Sequence, residues 1–324
     1  MRVSHSDLQD KLTQLGDQFG FHAFKEYYVK NLYPTYSPRI DVTWFYPLSI
    51  EQTTAIKRVY DLWPYWHEGK ALYPYAAFEI TVSDATSKIV LSEMWNMRVS
   101  GFRYSFKIVP NKDTKHSDRM HKERAERIDR TIRVFSGVSD TFILSREELL
   151  KGIRKLSNIE KVKNELYESN LIFKTPNLRK NLHNDLLEFL AKLGEDGGFI
   201  PVLEYRPPWL KKLKWNITMI RHDAVWLLKI PEKTKEGFIR FLNALGIEKI
   251  FRSVTPVEVL AFEVELKHLN KHSLGSILNI ANVTGRGTII TKKVTKELIE
   301  TVRLISSNKV DIKSLKELYA PHEA

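Results

Sequence analysis

Three acidic residues have the spacing to hold a hard metal ion. Asp223 lies in the segment HDAVWLL, and Glu263 and Glu265 lie in LAFEVEL, both with the alternation of a β-strand. Residues two apart share a strand face, so on adjacent strands of a twisted sheet the three carboxylates can point the same way. Gathered like charges repel and raise one another's pKa, a cost that a divalent cation with oxygen ligands, magnesium or manganese, removes. Such an ion polarises a phosphoryl oxygen and lowers the pKa of a water that attacks phosphorus in line, and the outcome is a hydrolysed phosphodiester. Lys267, two residues further along the same strand face, is either a positive charge near this site or a surface lysine.

The elements that would position these residues occur twice. The segment DLQDKLTQLGDQFGFHAFKEY (Asp7 to Tyr27) lies without a gap on DLLEFLAKLGEDGGFIPVLEY (Asp185 to Tyr205). RIDVTW then faces RHDAVW, and AFEIT faces AFEVE, with no gap from there to Gly101 and Gly285. Three blocks in one order indicate a tandem duplication. Leu8, Leu12 and Leu15, like Leu186, Leu190 and Leu193, have the spacing of one buried helix face, and Gly16 or Gly194 sits where a C-cap belongs.

Three alternating strands follow, then a helix over 87–99 or 271–283 and a closing strand, FRYSFKIV or GTIITKK. The predicted unit is α-β-β-β-α-β, an α/β layer around a mixed sheet. Two tandem domains result, residues 1–140 and 181–324, joined by a helical linker over 141–180. Helices are predicted at about 117–135 and 145–170, the latter opening on Ser145 and Glu148 at capping-box spacing, and segments 295–306 and 312–319 read as closing helices. In the first unit the acidic trio becomes Asp41, Glu79 and Thr81, and Ser83 replaces Lys267. Thr81 neither neutralises a developing charge nor acts as a base at neutral pH, so this site reads as degenerate. The first unit is left to bind nucleic acid or to serve as a pseudo-twofold partner.

A net charge of +12 favours a polyanionic partner, nucleic acid first. Basic residues crowd 119–133, including Arg124 and Arg127, and again at Lys211, Lys212 and Lys214 beside Trp209 and Trp215. Each cluster is either a nucleic-acid contact or a solvated face. Absence of cysteine excludes disulfides, thiolate zinc sites and a cysteine nucleophile, so a metal must be held by carboxylate or histidine. His116, His121, His268 and His272 lack the spacing of a zinc site, and no Gly-rich phosphate loop indicates ATP hydrolysis. Trp63, Tyr65, Trp66, Tyr73 and Tyr75 form an aromatic insertion suited to core packing ahead of base stacking. No apolar run of membrane-spanning length and no signal-peptide-like opening stands out, which makes the cytoplasm the expected location.

Helix, Gly-Phe, a strand ending in Glu-Tyr, Arg-x-Asp, then Ala-Phe-Glu-x-Glu resembles the PD-(D/E)xK nuclease superfamily of restriction endonucleases, Holliday-junction resolvases and RecB-type nucleases. The resemblance covers about 100 residues of each half. It implies a restriction-endonuclease-like fold in tandem, with Asp223 as the first metal-binding aspartate, Glu263 as the second acid and Glu265 at the position that is usually lysine. Glu204, and Asp185 on the opening helix, resemble the additional acids that some resolvase-like members place beside the metal. His222 stands where the superfamily's proline would be.

The expected function is a metal-dependent DNA endonuclease acting through the second repeat, with Arg221 and the two basic clusters as contacts to nucleic acid. Cutting both strands needs a symmetric pair of sites, hence a possible homodimer. The alternative is a catalytically inactive nucleic-acid-binding or regulatory protein on a duplicated nuclease scaffold, because fold does not fix function.

Overall fold

Leu8 and Leu12 are fully buried on one face of α1 (His5–Phe19), whose first turn is closed by a reciprocal Ser4–Asp7 capping box. The computed structural model describes residues 4–30, 36–81, 85–110, 118–136, 140–156, 181–209, 220–266 and 271–320. After α1 come β1 (His22–Tyr28), β2 (Arg39–Pro47), α2 (Ile50–Val59), β3 (Trp66–His67), β4 (Lys70–Ile80), α3 (Ser87–Val99), β5 (Tyr104–Val109), α4 (Asp118–Ser136), β6 (Asp140–Ser145) and α5 (Arg146–Lys155). The sheet order is β1-β2-β4-β5-β6, with β3 beside β4. Strands β1, β2 and β4 pair antiparallel, and β4, β5 and β6 parallel.

The second repeat runs α6 (Leu182–Asp196), β7 (Ile200–Tyr205), β8 (His222–Leu228), α7 (Glu232–Ala244), β9 (Val257–Glu265), α8 (Lys271–Asn279) with a π-helical turn at Ile280–Thr284, β10 (Gly287–Thr291), α9 (Lys296–Ile305), β11 (Val310–Ser314) and α10 (Leu315–Tyr319). Its order, β11-β10-β9-β8-β7, is that of the first sheet, with the same change from antiparallel to parallel. Two mixed sheets with helices on an α/β plan are therefore present, and each repeat exceeds the predicted unit by three helices (α2, α4 and α5, or α7, α9 and α10) and one parallel strand (β6 or β11).

Several boundaries differ from expectation. Segment 312–319 is not one helix: Val310 and Ile312 alternate into the core as β11, and only 315–319 is helical. A run this short does not separate strand from helix by periodicity. Residues 140–145, reaching into the expected linker over 141–180, likewise form an edge strand paired parallel with β5, and 157–180 lie outside the described residues. Gly16 and Gly194 are not C-caps either. Both lie inside their helices, where a β-carbon would come within 2.6 Å of the Trp44 or Trp226 indole. Those indoles donate to the carbonyls of Leu12 (2.9 Å) and Leu190 (3.0 Å), so glycine is required for close approach of helix to sheet. Gly20, with φ 89°, is the true left-handed cap of α1.

The compact units also do not follow the repeats. Segment Ile230–Thr255, from the second repeat, belongs with Met1–Pro47 and Leu72–Glu168, while Leu48–Ala71, from the first repeat, belongs with Ser169–Lys229 and Pro256–Ala324. Burial of aromatic surface accounts for the first transfer: Phe238 of α7 is fully buried among Tyr75 (4.9 Å), Tyr104 (4.8 Å) and Trp44 (6.3 Å). Asp140 then fixes the end of the incoming segment, accepting the N–H groups of Phe251 (2.6 Å) and Arg252 (2.8 Å). In the other unit Asp311 accepts the Asp61 N–H at 2.9 Å and Thr288 donates to the Val59 carbonyl at 2.7 Å, which anchors the segment after α2. Trp63, Tyr65, Tyr73 and Tyr75 are buried, in keeping with the packing role expected of them, and Trp66 is partly exposed beneath Lys57.

Candidate active site

Strand register brings one aspartate and one glutamate together in each unit. Val42 opposite Phe78 sets Asp41 beside Glu79, and Ala224 opposite Phe262 sets Asp223 beside Glu263. The aspartates are held alike. Asp41 Oδ2 accepts the Ile80 N–H at 2.7 Å and lies 3.3 Å from His5 Nε2; Asp223 Oδ2 accepts the Val264 N–H at 2.8 Å and lies 3.4 Å from His183 Nε2. His5 and His183 occupy equivalent positions two residues before the aligned block, so extending that block would have found them.

The glutamates differ. Burial, and next the Asp41 carboxylate, push Glu79 well above the ordinary carboxylate range, and its Oε1 has no hydrogen-bond partner. Glu263 is raised as well, first by burial, with the His222 hydrogen bond opposing and the Asp223 charge adding. Its Oε1 lies 2.9 Å from Nδ1 of a fully buried His222, whose Nε2 lies 3.0 Å from the Thr284 hydroxyl. Glu265, two residues further along β9, shares the strand face of Glu263 and adds to its raising. Among the described residues, however, no three His, Asp or Glu side chains are grouped so as to hold a metal ion. Lys267 lies outside the described residues.

Glu204 departs from the regular strand ladder. The pairs Leu203 with Ala224 and Tyr205 with His222 leave it bulged opposite Asp223, with φ 50°, and its carboxylate meets Arg221 at 3.2 Å. Glu26 repeats this in the first unit, with the same φ and an Arg39 partner at 3.6 Å. A left-handed non-glycine residue costs of order 1–3 kcal/mol, and its bulge turns the side chain away from the regular strand direction. Asp185 is exposed in the first turn of α6.

The first unit contains a residue that motif reading missed. Lys107, on β5, is fully buried, and its Nζ contacts the Thr81 hydroxyl and Glu93 Oε2, each at 2.5 Å. Thr81, expected to mark a degenerate site without positive charge, therefore has an ammonium beside it. The signal was a lone lysine in the otherwise uncharged strand YSFKIV, where an unpaired charge would be costly. No family model, curated protein or solved structure matches the chain.

Of the basic residues, Arg127 is exposed on α4, whereas Arg124 is half-buried and donates to the Ala85 carbonyl. Lys211, Lys212 and Lys214 lie outside the described residues. His121 is buried, and the placements of His116 and His268 are likewise outside them. No described helix is long and apolar enough to cross a membrane. Chemically, the Asp–Glu pairs offer hard oxygen donors at the centre of each sheet. The unpartnered Oε1 of Glu79 fits a cation best, because a buried carboxylate oxygen without a donor carries its full desolvation cost.

Proposed function

We propose that the chain is a divalent-metal-dependent nuclease of the PD-(D/E)xK type that hydrolyses phosphodiester bonds in DNA. The observation that carries this reading is the duplicated carboxylate pair, Asp41 with Glu79 and Asp223 with Glu263, on neighbouring central strands. Its buried, mutually repelling acids are costly to keep without a cation. Magnesium or manganese, when bound, would supply Lewis acidity toward a phosphoryl oxygen and an acidified water. The aspartates, fixed by backbone N–H donors from β4 and β9, would keep their oxygens oriented. Water oxygen bonds to phosphorus as one P–O ester bond breaks; one water proton passes to solvent and the other, by way of solvent, to the leaving oxygen, which ends as a hydroxyl. The net charge of +12 supports a polyanionic substrate.

A second reading, nucleic-acid binding without cleavage, is favoured by the absence of a three-ligand cluster among the described residues. Incubation of plasmid, single-stranded DNA and RNA with magnesium or manganese separates the two. Nuclease action predicts DNA cutting that a chelator abolishes and that the double variant Asp41→Asn, Asp223→Asn lacks. Retained binding with no cutting in any metal favours the scaffold.

A further inference from the structure

The two acid pairs are not equivalent. Position 107 in the first unit corresponds to Ile289 in the second, since Glu79 faces Lys107 on the parallel neighbour and Glu263 faces Ile289. Continuing the gapless alignment, Glu93 corresponds to Ile277 and Thr81 to Glu265. Where the first unit places an ammonium between a hydroxyl and a carboxylate, the second therefore places two isoleucines of its apolar core. The second unit has instead a chain from Thr284 through His222 to Glu263, and its counterparts in the first unit are Ser100, Ile40 and Glu79. Isoleucine at 40 offers Glu79 no donor, consistent with its Oε1 lacking one.

We infer that metal binding and cleavage belong to the first unit, with Asp41 and Glu79 holding the cation and Lys107 positioned from β5 to supply the charge that Thr81 lacks. His222 occupies an oxygen of Glu263 and leaves the second unit without that function. This assignment depends on the nuclease reading only for its cleavage half; the metal half stands on the buried, unpartnered carboxylate oxygen. Lys107 is a positioning residue: its Nζ is enclosed and acts through Thr81, Glu93 and the field at Glu79.

Titration of the full-length chain with Mn2+, followed by calorimetry and by the electron paramagnetic resonance of free manganese, tests the assignment. One tight site is expected. Glu79→Gln should weaken it at least about tenfold, as loss of a ligand does, and by far more than Glu263→Gln does. Lys107→Met should keep the manganese stoichiometry at one and lower kcat for cleavage by about two orders of magnitude, with partial recovery in Lys107→Arg. Near-ultraviolet circular dichroism checks that each variant is folded, and Asp41→Asn replaces Glu79→Gln should the latter fail to fold. Loss of the site in Glu263→Gln with retention in Glu79→Gln overturns the proposal, as do two equal sites or no binding at all. Binding at the first unit without cleavage of any nucleic acid upholds the metal site and removes the nuclease reading.

Discussion

The two acid pairs sit on one strand plan, share the same aspartate hydrogen bonds and the same histidine neighbours, and yet differ in what surrounds the glutamate. In the first unit the glutamate meets a buried lysine's field and leaves an oxygen unpartnered; in the second it is bonded to a buried histidine. A duplicated frame thus keeps its backbone-held aspartate while the neighbouring strand and helix redefine the chemistry. Changing Lys107, Glu93 and Thr81 into Ile289, Ile277 and Glu265 leaves the pleat untouched, because each substitution lies on a side chain that points into the layer between sheet and helix.

The largest expected effect tests whether the shared frame extends to the cores. Phe238 is encoded in the second repeat but packs with Tyr75, Tyr104 and Phe106. Phe238→Ala should cost about 3–5 kcal/mol in a denaturant melt, and a cost below about 1 kcal/mol would break the account of that core. Gly16→Ala and Gly194→Ala should each cost about 1–3 kcal/mol, and by similar amounts, since each added methyl meets an indole at the same distance. Unequal costs measured side by side would mean that the helix-to-sheet spacing is not common to the repeats.

A smaller effect separates the glutamates. In the metal-free chain the folded state holds the Glu79 proton to a higher pH than the unfolded state does, so its contribution to stability is present below the ordinary value near 4.5 and is lost as pH rises through the elevated folded value. Glu79→Gln removes that decline, so its melting temperature should gain on wild type across this window. Glu263→Gln should show the same sign to a lesser degree, because it also gives up the His222 bond. A falling Glu79→Gln difference over this range, in melts recorded at successive pH values, would contradict the burial of the Glu79 carboxyl beside Asp41. The mildest change concerns the surface: Arg127→Ala, exposed on α4, should lower the salt dependence of DNA binding by about one unit of slope, whereas an unchanged slope places the contact elsewhere.

Much of the frame was legible because duplication doubles each signal. The opening helix, three strands and the following helix stand where the aligned blocks place them. What escaped was set by distant partners. Gly16 looks like a cap because glycine after a leucine stripe usually is one, and only the position of Trp44 shows it to be a contact. The aspartate and glutamate could be paired from strand alternation, but Lys107 approaches from a strand 26 residues after Thr81, beyond any local motif. Glu204 lay in a recognisable strand, yet its bulge and its Arg221 partner depend on backbone angles that alternation does not encode.

The traded helices α2 and α7 have an evolutionary corollary. Each half of the coding sequence carries a part of the other half's interior, so a truncation that removed one repeat would strip a packing element from the survivor as well. Change at the acid sites is therefore separable from loss of a copy: whatever surrounds the acids, each half still supplies a helix to the other's unit.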